Sequence, residues 1–182
     1  MRIGKYMKKN TIKTCVFGAL ALCVMTAIFA FSHQTGASSS QVSNRVGKVV
    51  LVMLGITVPE GQSASSVVIF WGLTVRSLAH IFLFAVLGIT LFLTFNSAFV
   101  IKSEKSRRSV FYAAACALIV SLLYAVSDEV HQYFVSGRTA SFRDVMIDAS
   151  GFVCSIVIAS AVTLLTLPKG KITEKQNDGQ DR

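Results

Sequence analysis

The stretch VFYAAACALIVSLLYAVSDEVHQYFVSGRTASFRDVMID, residues 110–148, decides how this chain folds. Its first 17 residues, 110–126, carry no charge, and the next six turn abruptly polar: Ser127-Asp128-Glu129-Val130-His131-Gln132. As a helix, 17 residues reach about 25 Å, enough to cross most of a hydrocarbon core of about 30 Å. A helix is required, because lipid offers no partner to an unpaired backbone N–H or C=O. After Gly137 and Arg138, Arg143 and Asp144 introduce a second apolar run, 145–167, that stops at Pro168. The link between the two runs is short, so they are antiparallel neighbours.

Moving outward from this hairpin, residues 15–31 and 77–95 are the other two runs of spanning length. The expected fold is an all-α membrane protein, a four-transmembrane-helix bundle. Composition agrees: 53% of the 182 residues are hydrophobic and 15% charged, against about 25% charged in soluble domains. Thirteen Phe exclude a disordered polymer. The four cysteines, Cys15, Cys23, Cys116 and Cys154, form no CxxC and fall inside spans, where they act as small apolar residues.

The net charge of +9 does not mark a nucleic-acid binder. Residues 1–14, 96–109 and 168–182 together hold 13 of the 18 Lys and Arg, between or beyond the spans rather than on one face. By the positive-inside bias, a basic N-terminus (1–14), the middle loop and a polar tail (168–182) are cytoplasmic. The transmembrane domain is then 15–167 of a multi-pass cell-membrane protein with both termini inside. The first span reads as an uncleaved anchor, longer than the apolar region of a signal peptide.

The first outer loop, 32–76, contains a flexible polar run at 38–40 and an amphipathic interfacial helix over 42–56. Val42, Val46, Val49, Val50 and Met53 recur on one face of it, with Arg45 and Lys48 off that face. It is expected to pack on the bundle or lie among headgroups. Gly55 ends it, and Pro59-Glu60-Gly61 forms a turn.

Ionisable groups inside spans are costly, about 2.5–3.5 kcal/mol each at the bilayer centre, so their placement is informative. Arg76 and His80 sit four apart at the start of the second span. Asp128, His131 and Gln132 share a face at the end of the third, with Glu129 turned aside. Asp144 and Asp148 sit four apart at the start of the fourth, with Gly151 near the same face. The alternation of spans puts all of these, with Arg138 and Arg143, at the outer end: an extracytoplasmic polar pocket.

These residues resemble the VanZ-like family of membrane proteins. The resemblance lies in Ser127 to Gln132, Gly137-Arg138, Arg143-Asp144-Val145 and Asp148 to Gly151, together with Arg76, Ala79-His80 and Phe31-Ser32-His33-Gln34. It covers residues 28 to 155. Ser77 stands where the family often has a basic residue, and Ser136 where it often has Pro. The family is named for a teicoplanin-resistance protein, so the resemblance implies a role at the cell envelope and a link to glycopeptide resistance.

The residues themselves admit three chemistries. Arg76, Arg138 and Arg143, with Gln132, suit an anionic lipid or lipid-linked envelope component, because a guanidinium grips phosphate through a planar fork. His80 and His131 suit general acid–base catalysis, with Asp128 or Glu129 orienting an imidazole and Asp144 and Asp148 completing the candidate catalytic set. In a variant of that reading, the two His and two carboxylates ligate a divalent metal, although no HExxH, GxSxG or P-loop spacing names a metal or other cofactor. Finally, the set is a clamp of ion pairs, Arg76 with Asp128 or Asp144 and Arg143 with Asp148, whose role is structural or partner binding. The expected function is binding, or binding and modification, of an anionic lipid or cell-envelope component.

Overall fold

Five helices follow one another: α1 (Arg2–Ser32), α2 (Gly36–Met53), α3 (Gln62–Lys102), α4 (Arg107–Tyr133) and α5 (Phe142–Leu165). The computed structural model describes residues 2–56, 62–102 and 106–167. The tail read at 168–182, with Pro168, and the turn read at Pro59-Glu60-Gly61 lie outside the described residues. Four helices contain stretches long and apolar enough to cross a membrane: Met7–Ser32, Ser66–Ile101, Arg107–Tyr133 and Phe142–Leu165.

The second span differs most from the expectation, beginning at Ser66 instead of residue 77. Arg76 marked the expected boundary, but arginine is a good helix former and the apolar run before it, Val67 to Trp71, continues the helix. With 41 residues, α3 is about 60 Å long, twice the hydrocarbon thickness. It is also the central helix, packing against α1, α2, α4 and α5.

Phe84, Leu87 and Phe92 of α3 form the middle of the core, with Ile28 of α1, Ala113 and Ala117 of α4, and Phe152 and Ile156 of α5. Along α4, Ser109, Ala113, Ala117, Ser121 and Ala125 recur every fourth residue and are buried, so the neighbouring helices approach along a small-residue ridge. Gly151 lets α5 meet α3, since a Cβ there would run into the Ile81 carbonyl oxygen. The outward sides of the helices are apolar and exposed, Phe82, Leu123 and Ile158 among them, as a lipid-facing surface requires. All four cysteines are free.

The amphipathic helix exists, but it is longer and oriented differently. It begins at Gly36, where the Thr35 hydroxyl accepts from the Ser38 amide, so residues 38–40 are helical rather than flexible. Ser39, Gly47 and Leu51 are its buried face, against α3 near Trp71 and Gly72. Val42, Val46, Val49 and Met53 are exposed. In a membrane protein the close helix–helix contact takes the small residues, which leaves Val42 and Val46 to border a cavity beside α1 and α3 and Val49 and Met53 on the outward side. Gly55 ends the helix with a positive φ of 69°, as expected.

Candidate functional site

The polar residues converge at the end of the bundle where α1 and α4 finish and α5 begins. Each arrives by the periodicity of its helix. In α4 the small-residue ridge that passes through Ser121 and Ala125 continues to Glu129, and Asp128 and Gln132 flank it, so all three are buried. In α5, Asp148 lies six residues from the helix start and is fully buried. Arg76 and His80, one turn apart on α3, are half-buried between them.

Gln132 is the junction. Its Nε2 donates to Asp128 Oδ2 at 2.7 Å and, at 3.4 Å, to Ser32 Oγ. Its Oε1 accepts from Arg138 Nη1 at 2.8 Å and from Arg76 Nη2 at 3.2 Å. The Ser32 hydroxyl donates to the same Asp128 oxygen at 2.9 Å, tying the end of α1 to α4. Beside this chain, His80 Nδ1 lies 3.2 Å from Asp148 Oδ1, the one contact among the described residues that becomes an ion pair when the imidazole is protonated. Glu129 Oε2 accepts the Ser141 amide at 2.8 Å and so secures the start of α5.

Arg138 holds the connecting loop in place. Gly137, with φ of 73°, turns the chain, and Arg138 then donates to the Gln34 carbonyl at 2.9 Å and the Phe31 carbonyl at 3.1 Å. It thereby caps carbonyls at the end of α1. The Gly36 amide donates to the Ser136 carbonyl at 3.0 Å, and Gly36 packs so closely on Gly137 that no side chain fits. Burial and the neighbouring Arg76 pull the Arg138 pKa below its ordinary value, while Asp128, Glu129 and Asp144 oppose this. The guanidinium remains charged at neutral pH.

Two cavities share Arg76 and His80. A polar recess of about 80 Å³ is bounded by both, with Glu129, Gln132, Asp144 and Asp148. An apolar cavity of about 210 Å³ lies between α1, α2 and α3, walled by Ile28, Phe31, Val42, Val46, Val75 and Leu83, and Arg76, His80 and Arg138 are its polar end.

The arrangement departs from the expected pocket in four respects. Glu129, read as turned aside, faces the recess because it continues the buried ridge of α4. His131 leaves the site: its ring stacks on His33, with centroids 5.4 Å apart, and on Phe29 at 4.5 Å. At 100° per residue, Asp128, Gln132 and Glu129 occupy one arc of α4 and His131 lies beyond its other edge, toward α1. Arg143 is exposed, and no ion pair joins it to Asp148 among the described residues. Nor does Arg76 pair with Asp128 or Asp144; it donates to the neutral Gln132. Asp144 is half-buried and lines the recess.

Ser32, an uncharged residue outside the expected site set, is fully buried and bonded to Asp128. The string Phe31-Ser32-His33-Gln34 carried the signal: its carbonyls, hydroxyl and imidazole meet Arg138, Asp128 and His131.

A family model described as VanZ/LLP1 matches residues 17–165, which includes every residue of this site. The chain belongs to the VanZ/LLP1 family. No curated protein and no solved structure shows a significant match. For this VanZ/LLP1 member, the chemistry therefore has to be read from the recess itself. That recess offers guanidinium donors, a His–Asp pair and a surplus of buried carboxylates, beside an apolar compartment.

Proposed function

We propose that this VanZ/LLP1 protein binds the phosphate-bearing head of an anionic lipid or lipid-linked cell-envelope component, with Arg76 as the principal anion contact. The observation that carries this reading is the position of Arg76, which borders both the polar recess and the apolar cavity. An amphiphile needs that combination: a charged fork at the head and a dry wall for the chain. Arg138 donates to three intramolecular acceptors, Gln132, Gln34 and Phe31, whereas Arg76 donates to Gln132. Arg76 thus retains donors for a ligand, and Arg138 positions the loop and adds positive potential. Arg143 and Gln132 complete the proposed anion-binding set, Gln132 by orienting both guanidiniums and Arg143 from the exposed rim.

The Lys/Arg distribution supports an outward-facing recess with both termini in the cytoplasm. The family's namesake extends the proposal to glycopeptide (teicoplanin-type) resistance, which a susceptibility assay on a host lacking the protein tests. A catalytic reading has its own observation in the His80–Asp148 pair at 3.2 Å, where a carboxylate orients an imidazole as a general base requires. In that reading Asp128, Glu129 and Asp144 set the local field.

The test uses Trp71, the only tryptophan in the sequence, which lies five residues before Arg76 on α3. Its emission is followed as phosphatidylglycerol is titrated into the detergent-purified protein, with phosphatidylcholine as the comparison. A charge-assisted hydrogen bond contributes about 1.5–3 kcal/mol, so Arg76→Gln is expected to weaken phosphatidylglycerol binding roughly 10- to 150-fold. Equal affinity for the two lipids, or no change in Arg76→Gln, contradicts the proposal.

A further inference from the structure

We infer that His80, Asp128 and Asp148 form a binding site for a divalent metal ion. One ligand atom from each residue lies within 4.8 Å of the others, and the three come from α3, α4 and α5. Ligands on a common ion at about 2.1 Å stand at most about 4.2 Å apart, so closing the set needs a movement of about half an ångström.

Convergence of acids alone does not make a metal site. The second observation is an orphaned atom: Asp148 is fully buried, and its Oδ2 has no hydrogen-bond partner. Glu129, also buried and bordering the same recess, likewise leaves Oε1 without a partner. An unpaired acceptor at this depth is expensive. A cation would both partner that oxygen and offset its charge.

The charge balance favours the same conclusion. Asp128, Glu129, Asp144 and Asp148 face the interior of the site, against the guanidiniums of Arg76 and Arg138, and neither guanidinium ion-pairs with any of the four. With His80 neutral and all four carboxylates ionised, the two guanidiniums would leave a charge of about −2, which one divalent ion cancels. One imidazole and two carboxylates suit zinc or manganese, and the recess of about 80 Å³, which His80 and Asp148 line, has room for one or two waters on the open side of such an ion. Ser32 and Gln132, donating to Asp128 Oδ2, fix that carboxylate as outer partners of a ligand do. This inference does not depend on the lipid reading.

The experiment titrates Mn²⁺ into the full chain in phosphatidylcholine nanodiscs, following free Mn²⁺ by electron paramagnetic resonance, with Zn²⁺ as competitor. One saturable site per chain is expected, weakened about tenfold or more in His80→Ala and in Asp148→Asn. His131→Ala, which alters the histidine lying with His33 instead, is expected to bind Mn²⁺ like the unaltered protein. Should Asp148→Asn fail to fold, a metal-dependent rise in melting temperature that disappears in His80→Ala carries the same test. Absence of saturable binding for both metals, undiminished binding in His80→Ala, or equal losses in His131→Ala and His80→Ala overturns the assignment.

Discussion

Replacing Gln132 by leucine tests whether the neutral amide, rather than a set of ion pairs, holds this site together. The two side chains are similar in volume, so the change opens little cavity. It removes the acceptor shared by Arg138 at 2.8 Å and Arg76 at 3.2 Å, and the donor to Asp128 at 2.7 Å. Three charged groups lose a partner in a position where Gln132 itself is buried. Polar contacts between membrane helices average about 0.6 kcal/mol with a maximum near 1.7, and buried groups left unsatisfied cost about 1–3 kcal/mol. Taken together, the loss is about 2–5 kcal/mol. At about 2–4 °C per kcal/mol for a chain of this size, the melting temperature falls by roughly 5–15 °C. The assay is thermal unfolding of detergent-purified protein followed by Trp71 emission at one fixed scan rate. Arg143→Gln is the comparison: Arg143 is exposed, so its loss is expected within about 0.5 kcal/mol. A Gln132→Leu protein that melts with the unaltered one, or an Arg143→Gln protein that falls as far, would refute the reasoning.

Gly151→Ala drives a methyl group into the Ile81 carbonyl oxygen, next to His80 in α3 and one turn from Asp148 in α5. Overpacking of this kind costs about 1–3 kcal/mol, so both melting temperature and Mn²⁺ affinity are expected to drop; an unchanged melting temperature would mean the helices are not in backbone contact there. Orientation is open to cysteine labelling in intact cells with an impermeant maleimide. A cysteine in place of exposed Ser136 is expected to react and one in place of exposed Arg108 to stay protected, the opposite pattern placing the recess on the cytoplasmic side.

Asp128, Asp148, Arg76 and His80 were recoverable because an ionisable group inside an apolar run has few places to go except a shared interior. Glu129 was misplaced because the face of α4 was drawn through its polar residues. The buried spacing of Ala113, Ala117, Ser121 and Ala125, continued by one step, reaches Glu129. Ser32 carries no charge and so gave no such signal, yet it lies fully buried against Asp128.

Hydropathy along the chain was enough for the helical class, the four crossings and the end of the bundle at which the ionisable groups gather. Crossing a membrane is a local demand, met by any run of suitable length without reference to its neighbours. Which carboxylates face the recess, which arginine caps α1 and which borders both cavities, and which histidine meets Asp148 all depend on how helices rotate and approach one another. Those rotations follow from close contact at Gly151, Gly36 and the alanine ridge of α4, between residues far apart in the chain, and no linear pattern contains them.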